Sequence, residues 1–317
     1  MNKIELLQKE LAKEGYIVKT ADTLISAPKI KTGIWALDYI LDGGISQSEG
    51  GHRIEFEGAE SSGKTTFSLY IIKKYQELEK SCAFIDGERS YDKAYGEQLG
   101  VKKDLLICYP DTLEEAGNLL VKLIPQIDLI VIDSLVSLIP QGEAERETEE
   151  AQVALQARVN SLITRKIYGS TKQHTPTLIF INQMRKKVGI AFGNPNTTAG
   201  GHAIKHMYNT RIEFRAGDAI KNEQKEKIGN VIHLNCIKNK RGKPFRTSTV
   251  DFYAIDGTID NNKSLFYAGI QHGLVEVIGK TYSFNDKKEV GAENCMALLN
   301  DKDYKKLEGE LWKKIMK

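Results

Sequence analysis

The stretch RIEFEGAESSGKTTFSLY, residues 53–70, constrains the fold more than any other part of this 317-residue chain. A short apolar run, RIEFEG, ends in Gly58, and Gly63, Lys64 and Thr65 complete the pattern GxxxxGK[ST]. The spacing predicts a strand, a glycine-rich loop and a helix running through Leu78. Backbone N–H groups of such a loop turn inward around an anion, and the following helix presents its positive end to the same point. Gly58, Glu60, Ser61, Ser62, Gly63, Lys64, Thr65 and Thr66 are therefore expected to hold the phosphates of a nucleotide. Lys64 supplies a mobile cation for the β- and γ-phosphates, and Thr65 a hydroxyl for Mg²⁺.

Elements around this loop alternate as an α/β sheet requires. Strands are predicted at CAFID (82–86), LLICY, DLIVID (128–133) and TLIFINQ (177–183), with helices over 92–99, 112–124 and 148–168 between them. Unbroken apolar runs such as LIVI suit parallel strands covered on both faces. Beyond residue 210 the runs TRIEFR, NVIHLNCIKN and RTSTVDFY predict antiparallel strands extending that sheet. The expected class is a P-loop NTPase α/β core, with a mostly parallel sheet flanked by helices. The expected boundaries are an N-terminal helix and linker over 1–27, the core over 28–258, and a small α+β unit over 259–317. The first helix, 3–14, carries Ile4, Leu7 and Leu11 on one side and stops at Gly15.

Two carboxylates complete a hydrolytic site. Asp133 ends a buried strand, where a carboxylate typically faces the magnesium from the second side of the site. Glu88 lies just past the end of its strand, beyond Asp86, and strand C-termini line the ligand crevice of an open α/β sheet. It is the candidate general base or water-orienting group. The cysteines, Cys82, Cys108, Cys236 and Cys295, form no CxxC and read as buried reduced thiols of a cytoplasmic protein. The acidic, amphipathic N-terminus is unlike a signal peptide, and no apolar run is long enough to span a membrane. A net charge of +3 is too small to argue for a nucleic-acid partner.

These stretches together resemble the RecA family of homologous-recombination ATPases, most closely its bacterial type. The resemblance runs from IKTGIWALDYILDGG to the C-terminus, through GAESSGKTT, CAFIDGERSYD, DLIVIDSLVSLIP, LIFINQMRKKVGIAFGNPNTTAGGHAIK and IKNKRGKPF. It implies that Glu88 is the catalytic carboxylate and that Asp92 and Tyr95 contact adenine. It implies that Gln183 senses the γ-phosphate, and that Lys238 and Lys240 reach the γ-phosphate held by a neighbouring subunit. Being two apart on a strand, those two lysines are expected on one side.

Residues 184–206 read as a long structureless loop, a feature that is usually functional inside a compact domain. Arg185 opens it, and Thr197, Gly200 and Gly201 offer small donors and close backbone approach. The resemblance makes it a DNA-binding loop, with Val188 wedging between bases. Helix 148–168 is expected to bury Leu155, Val159, Leu162, Ile163 and Ile167, and to present Arg158 and Arg165 on another face. These arginines, with Ser161 beside them, match family residues on the DNA backbone. The resemblance makes the preceding stretch QGEAERETEEAQV the first DNA-binding loop, although its acids Glu143, Glu145, Glu147, Glu149 and Glu150 repel phosphate and belong on a solvated or inter-subunit side.

The resemblance thus implies a homo-oligomeric helical filament on single-stranded DNA, with ATP and Mg²⁺ at subunit interfaces. The filament would test homologous duplex DNA by base pairing, meet loader or single-strand-binding proteins, and stimulate self-cleavage of a repressor. His206 stands where bacterial members carry a phenylalanine that packs on a neighbour, and the ending KLEGELWKKIMK is basic where cellular members are acidic. These departures are those of a divergent member, such as one carried by a phage, with less restrained DNA binding. Three rivals remain: a ring-forming ATPase of helicase or clock type, a filament scaffold without turnover, and, more distantly, a small-molecule kinase, for which no acceptor pocket is legible.

Overall fold

The computed structural model describes residues 2–21, 26–142, 149–172, 174–186, 196–198 and 201–316. Helix α1 (Lys3–Lys13) is followed by β1 (Lys29–Ile30), α2 (Trp35–Ile40), β2 (Ile45–Ser46), β3 (His52–Gly58) and α3 (Lys64–Glu77). The chain then alternates through β4 (Cys82–Asp86), α4 (Lys93–Leu99), β5 (Leu106–Cys108), α5 (Leu113–Leu123), β6 (Leu129–Asp133), α6 (Glu149–Thr171) and β7 (Thr177–Lys186). After β8 (Asn196–Thr198) and α7 (Gly201–Met207) come three long strands, β9 (Thr210–Lys221), β10 (Lys227–Asn239) and β11 (Thr247–Tyr253). A last group comprises α8 (Asn261–Gln271), β12 (Glu276–Ile278), β13 (Thr281–Phe284), β14 (Lys287–Val290), α9 (Ala292–Leu298) and α10 (Asp301–Ile315).

The main sheet has the order β11-β10-β9-β3-β7-β6-β4-β5, with β8 paired to the end of β7. Strands β9, β3, β7, β6, β4 and β5 run parallel, and β10 and β11 add antiparallel to β9. TRIEFR, expected among antiparallel strands, is antiparallel to β10 as β9 but parallel to β3, because α7 supplies the crossover that a parallel connection needs. Of the span 184–206, expected to be one structureless loop, the described residues form elements: β7 continues to Lys186, Met184–Lys186 pair with Asn196–Thr198, and α7 follows, while 187–195 and 199–200 lie outside the described residues. The Gly, Asn and Thr content suggested loop, and strand pairing plus burial of Ile204 and Met207 overrode it.

Two apolar layers sandwich the sheet. Ile54, Phe56, Val131 and Ile179 face α2 and α3, while Ile130, Ile132, Leu178 and Phe180 face α5, α6 and α7. On α6, Val159, Ile163 and Ile167 are buried as expected, but Leu162 is 45% exposed, and Asn160 and Thr164 are buried in its place. Helix α5 comes close enough that a Cβ at Gly117 would stand 2.6 Å from Ile163, which rotates the buried stripe toward the 160/164 side. No residue of α1 is buried, and Ile4, Leu6 and Leu7 are exposed. Cys82, Cys236 and Cys295 are buried and Cys108 half-buried, all as free thiols.

A third cluster gathers α8, α9 and α10 around Phe266, Leu307 and Leu311 and includes Trp35 from α2. Trp35 is 5% exposed, packs edge-on to Trp312 at 4.9 Å between ring centroids, and donates its backbone N–H to Asn261. This indole is one of the ties between the C-terminal group and the rest of the chain, beside the Lys263–Asp251 ion pair and the Ser264 hydroxyl on the Thr249 carbonyl of β11. Trp35→Ala should lower stability by about 3 kcal/mol, seen as a lower urea midpoint of the full chain, with Trp35→Phe losing less than half of that.

Candidate nucleotide site and its connected strands

The C-terminal ends of β3, β4, β6 and β7 meet at one edge, and each delivers one group. Register sets Gly58 of β3 opposite Gln183 of β7, and Asp86 of β4 opposite Asp133 of β6. The loop after Gly58 closes tightly: a Cβ on Gly58 would stand 2.3 Å from the Phe214 carbonyl oxygen, so only glycine fits beside β9. Gly63 enters α3 with φ +87. Lys64 is buried, and its Nζ donates to the Gly58 and Ala59 carbonyls at 3.1 and 2.6 Å and to the Ser62 hydroxyl at 3.3 Å. Burial pulls the Lys64 pKa down against the pull of Asp133, Glu88 and Glu60. Glu60 and Ser61 are exposed, Ser62 and Thr66 are buried, and Thr65 is half-buried.

Thr65 donates its hydroxyl to the Asp133 carboxylate at 2.8 Å. Burial, with Glu88 and Asp86 nearby, pushes Asp133 up to about 6, while the Thr65 bond and Lys64 pull it back. A hydroxyl and a carboxylate held together are the hard oxygen donors a magnesium ion takes, so this pair fits the group expected beside a nucleotide.

Asp86 accepts from the N–H groups of Ser90 and Tyr91, which folds the turn carrying Glu88. Gly87 and Glu88 both donate N–H to the Asp133 carbonyl. The Glu88 carboxylate then accepts from the Ser134 hydroxyl at 3.0 Å and from the Gln183 amide at 3.4 Å. Glu88, Asp133, Thr65, Lys64 and Gln183 are thus brought into one connected group. Ser134 was missed, although its place directly after Asp133 in DLIVIDS was a signal.

Asp92 caps α4 by accepting from Ala94 and Tyr95 N–H, and Tyr95 shares a 2.9 Å hydrogen bond with Thr66. Phe252 and Ala254, at and just past the end of β11, wall a cavity of about 240 Å³ over Ser61–Thr66. They too were missed, since nothing local ties them to the loop. A larger cavity, about 510 Å³ between β10 and α8, includes none of the candidate residues.

The other candidates are spread more widely. Arg158 and Arg165 are exposed on α6, and the half-buried Ser161 returns its hydroxyl to the Ala157 carbonyl at 2.9 Å. Arg185 and Thr197 are register partners in the β7–β8 pair, and Gly201 opens α7. Val188, Gly200, Glu143, Glu145 and Glu147 lie outside the described residues. Lys238 sits in β10 and donates to the carbonyls of Lys205 and His206, whereas the exposed Lys240 lies one residue past the strand.

A profile of the RecA N-terminal domain matches residues 1–259. The chain belongs to the RecA family. It is also 38% identical over 286 residues to Protein RecA of Leptospira biflexa serovar Patoc, covering 89% of this chain and 73% of that protein. Membership supports nucleotide binding, an ATPase core and a general role in recombination and DNA repair. Among the described residues, no helix of this RecA-family chain is long and apolar enough to cross a membrane.

The raised Asp133 pKa sets a pH dependence. The unfolded carboxyl ionises near 3.8 and the folded one near 6, so ionisation opposes folding. The cost is absent at lower pH, grows between those values and stands in full above them. Asp133→Asn should therefore stabilise the ligand-free chain by about 1–3 kcal/mol near pH 8 and hardly at all near pH 3.5, as thermal melts at the two pH values would register.

Proposed function

We propose that the chain is a single-stranded-DNA-dependent ATPase that assembles as a helical filament on single-stranded DNA and drives homologous pairing and strand exchange. The observation that carries this reading is the strand β7 itself. Its Gln183 donates to the Glu88 carboxylate, and two residues later Arg185 enters the β7–β8 pair. A change at Gln183 therefore moves backbone that leads directly into the proposed DNA-binding segment. The same register aligns Gln183 with Gly58 at the mouth of the phosphate loop.

In this reading the loop amides and Lys64 hold the triphosphate. Thr65 and Asp133 hold magnesium, which when bound neutralises phosphate charge. Glu88, oriented by Ser134, accepts the proton of the attacking water. Gln183 changes partner when the γ-phosphate is present. Tyr95 and Asp92 meet the adenine, and Lys238 and Lys240 reach the nucleotide of the next copy. Arg158, Ser161, Arg165, Arg185, Val188, Thr197, Gly200 and Gly201 contact DNA chiefly through its backbone, which makes binding sequence-tolerant and salt-sensitive. We further propose the division at 27/28 and 258/259 with α1 packing between subunits, loader or single-strand-binding partners, stimulation of repressor self-cleavage, and action in the cytoplasm.

The test is ATP hydrolysis with and without single-stranded DNA. DNA should stimulate the wild type strongly, and Glu88→Gln should lose roughly 10²–10⁴-fold in turnover while still binding DNA. Hydrolysis indifferent to DNA would overturn the coupling through β7 and favour a ring-type ATPase; no turnover at all would favour the scaffold.

A further inference from the structure

The ladder between β9 and β10 breaks its step near the end. Cys236 pairs with Ile212, Lys238 pairs with Arg211, and Ile237 is left between the two pairs. Such a bulge re-aims the next side chain. Cys236 and Ile212 lie in the apolar layer, and Lys238 is turned instead toward Arg211 and α7. Its Nζ donates to the carbonyl oxygens of Lys205 and His206, at 3.3 and 3.5 Å. These are last-turn carbonyls of α7, which the helix itself leaves without donors. The next one, Met207, is taken by Arg53 Nε at 3.0 Å.

The two cations grip that helix end differently. Arg53 is buried, also donates to Gly50 and Thr171, and lies over the Tyr168 ring. It is fixed on every side. Lys238 is half-buried, on a flexible stem, and both of its bonds are long. Burial, Lys240, Arg211 and Arg53 all lower its pKa against Glu55, so its surroundings are short of negative charge. Neutral carbonyls meet that shortage only in part, and an anionic oxygen makes roughly twice as strong a bond.

On the reading that Lys238 reaches the terminal phosphate of a neighbouring copy, we propose that Lys238 is a clasp with two alternative holds. In the free chain it caps the C-terminus of α7. On assembly it leaves that cap for the neighbour's phosphate, and α7 loosens at the end facing β10. Helix α7 directly follows the segment proposed to meet DNA, so nucleotide held by one copy reaches the DNA-binding segment of the next. Lys238 is thereby a positioning residue for α7 as well as a phosphate contact.

The experiment is hydrogen exchange, read by mass spectrometry on the peptide spanning 201–209 of the full chain. In the free state, Lys238→Met should exchange roughly two- to fivefold faster than wild type, the range that loss of a helix-terminal cation allows. Lys238→Arg should match wild type, and unchanged peptides from β6 would show that the variants are folded. For the assembled state, ¹⁵N-labelled Lys238→Met is doped at about one part in ten into unlabelled wild type with magnesium adenosine 5′-thiotriphosphate and oligodeoxythymidine. Its excess over ¹⁵N-labelled wild type, doped identically, should vanish, because wild-type Lys238 has left the cap. No excess in the free state, or an excess that persists in the assembly, overturns the clasp while the filament reading stands. Failure of the wild type to sediment as an assembly overturns both, and the free-state comparison then reports on the cap alone.

Discussion

The parallel ladder between β3 and β7 is the constraint on which the site depends. It fixes Gly58 opposite Gln183 and, by the same step, Glu57 opposite Asn182 and Glu55 opposite Phe180. Side chains on a strand alternate, so a slip of one residue would send the charged face of β3 into the apolar layer under α3. Ile54 and Phe56 anchor the correct register from that layer. The phosphate loop, the Gln183 amide and the Glu88 carboxylate then converge without any of them being close in sequence.

The other face of β3 is charged and yet buried. Glu55 and Glu57 share Arg211 of β9, and Glu55 also accepts from Asn182 at 2.6 Å. Burial and the nearby Glu55 raise Glu57 to about 7, against the pull of Arg211. Breaking such a network by removing one member leaves buried charge uncompensated, which is costly even where the intact network adds little stability. Its value here is positional. One guanidinium ties the residue before the phosphate loop to the strand beside Lys238, and Glu55 extends that tie to the residue before Gln183.

Much of the fold was legible because its signals are local. The apolar runs of β4, β6 and β7 read as covered parallel strands, and the glycine pattern placed the loop and α3 within a residue. Residues 184–186, 196–198 and 201–206 have the composition of a loop, but pairing within β7–β8 and the packing of Ile204 and Met207 make them strand and helix. Leu162 misled because helical periodicity marks a stripe without fixing its rotation, which the close approach of α5 at Gly117 decided. Phe252, Ala254 and Ser134 were passed over for a related reason: their roles exist only where distant strand ends meet.

By itself, the sequence determined which groups are on offer: GxxxxGK[ST], an Asp closing an apolar strand and a Glu just beyond another are, by residue type and spacing, the groups expected to meet phosphate, metal and water. It also carried the family motifs that the profile and the Leptospira relative bear out. Only the tertiary structure decided which groups touch: Gln183 and Ser134 on Glu88, Thr65 on Asp133, Lys238 on the end of α7. Local spacing encodes what a strand end or a turn can offer. Which offers meet is set by strand order and register, and these arise from burying two apolar layers at once, a condition that no single segment contains.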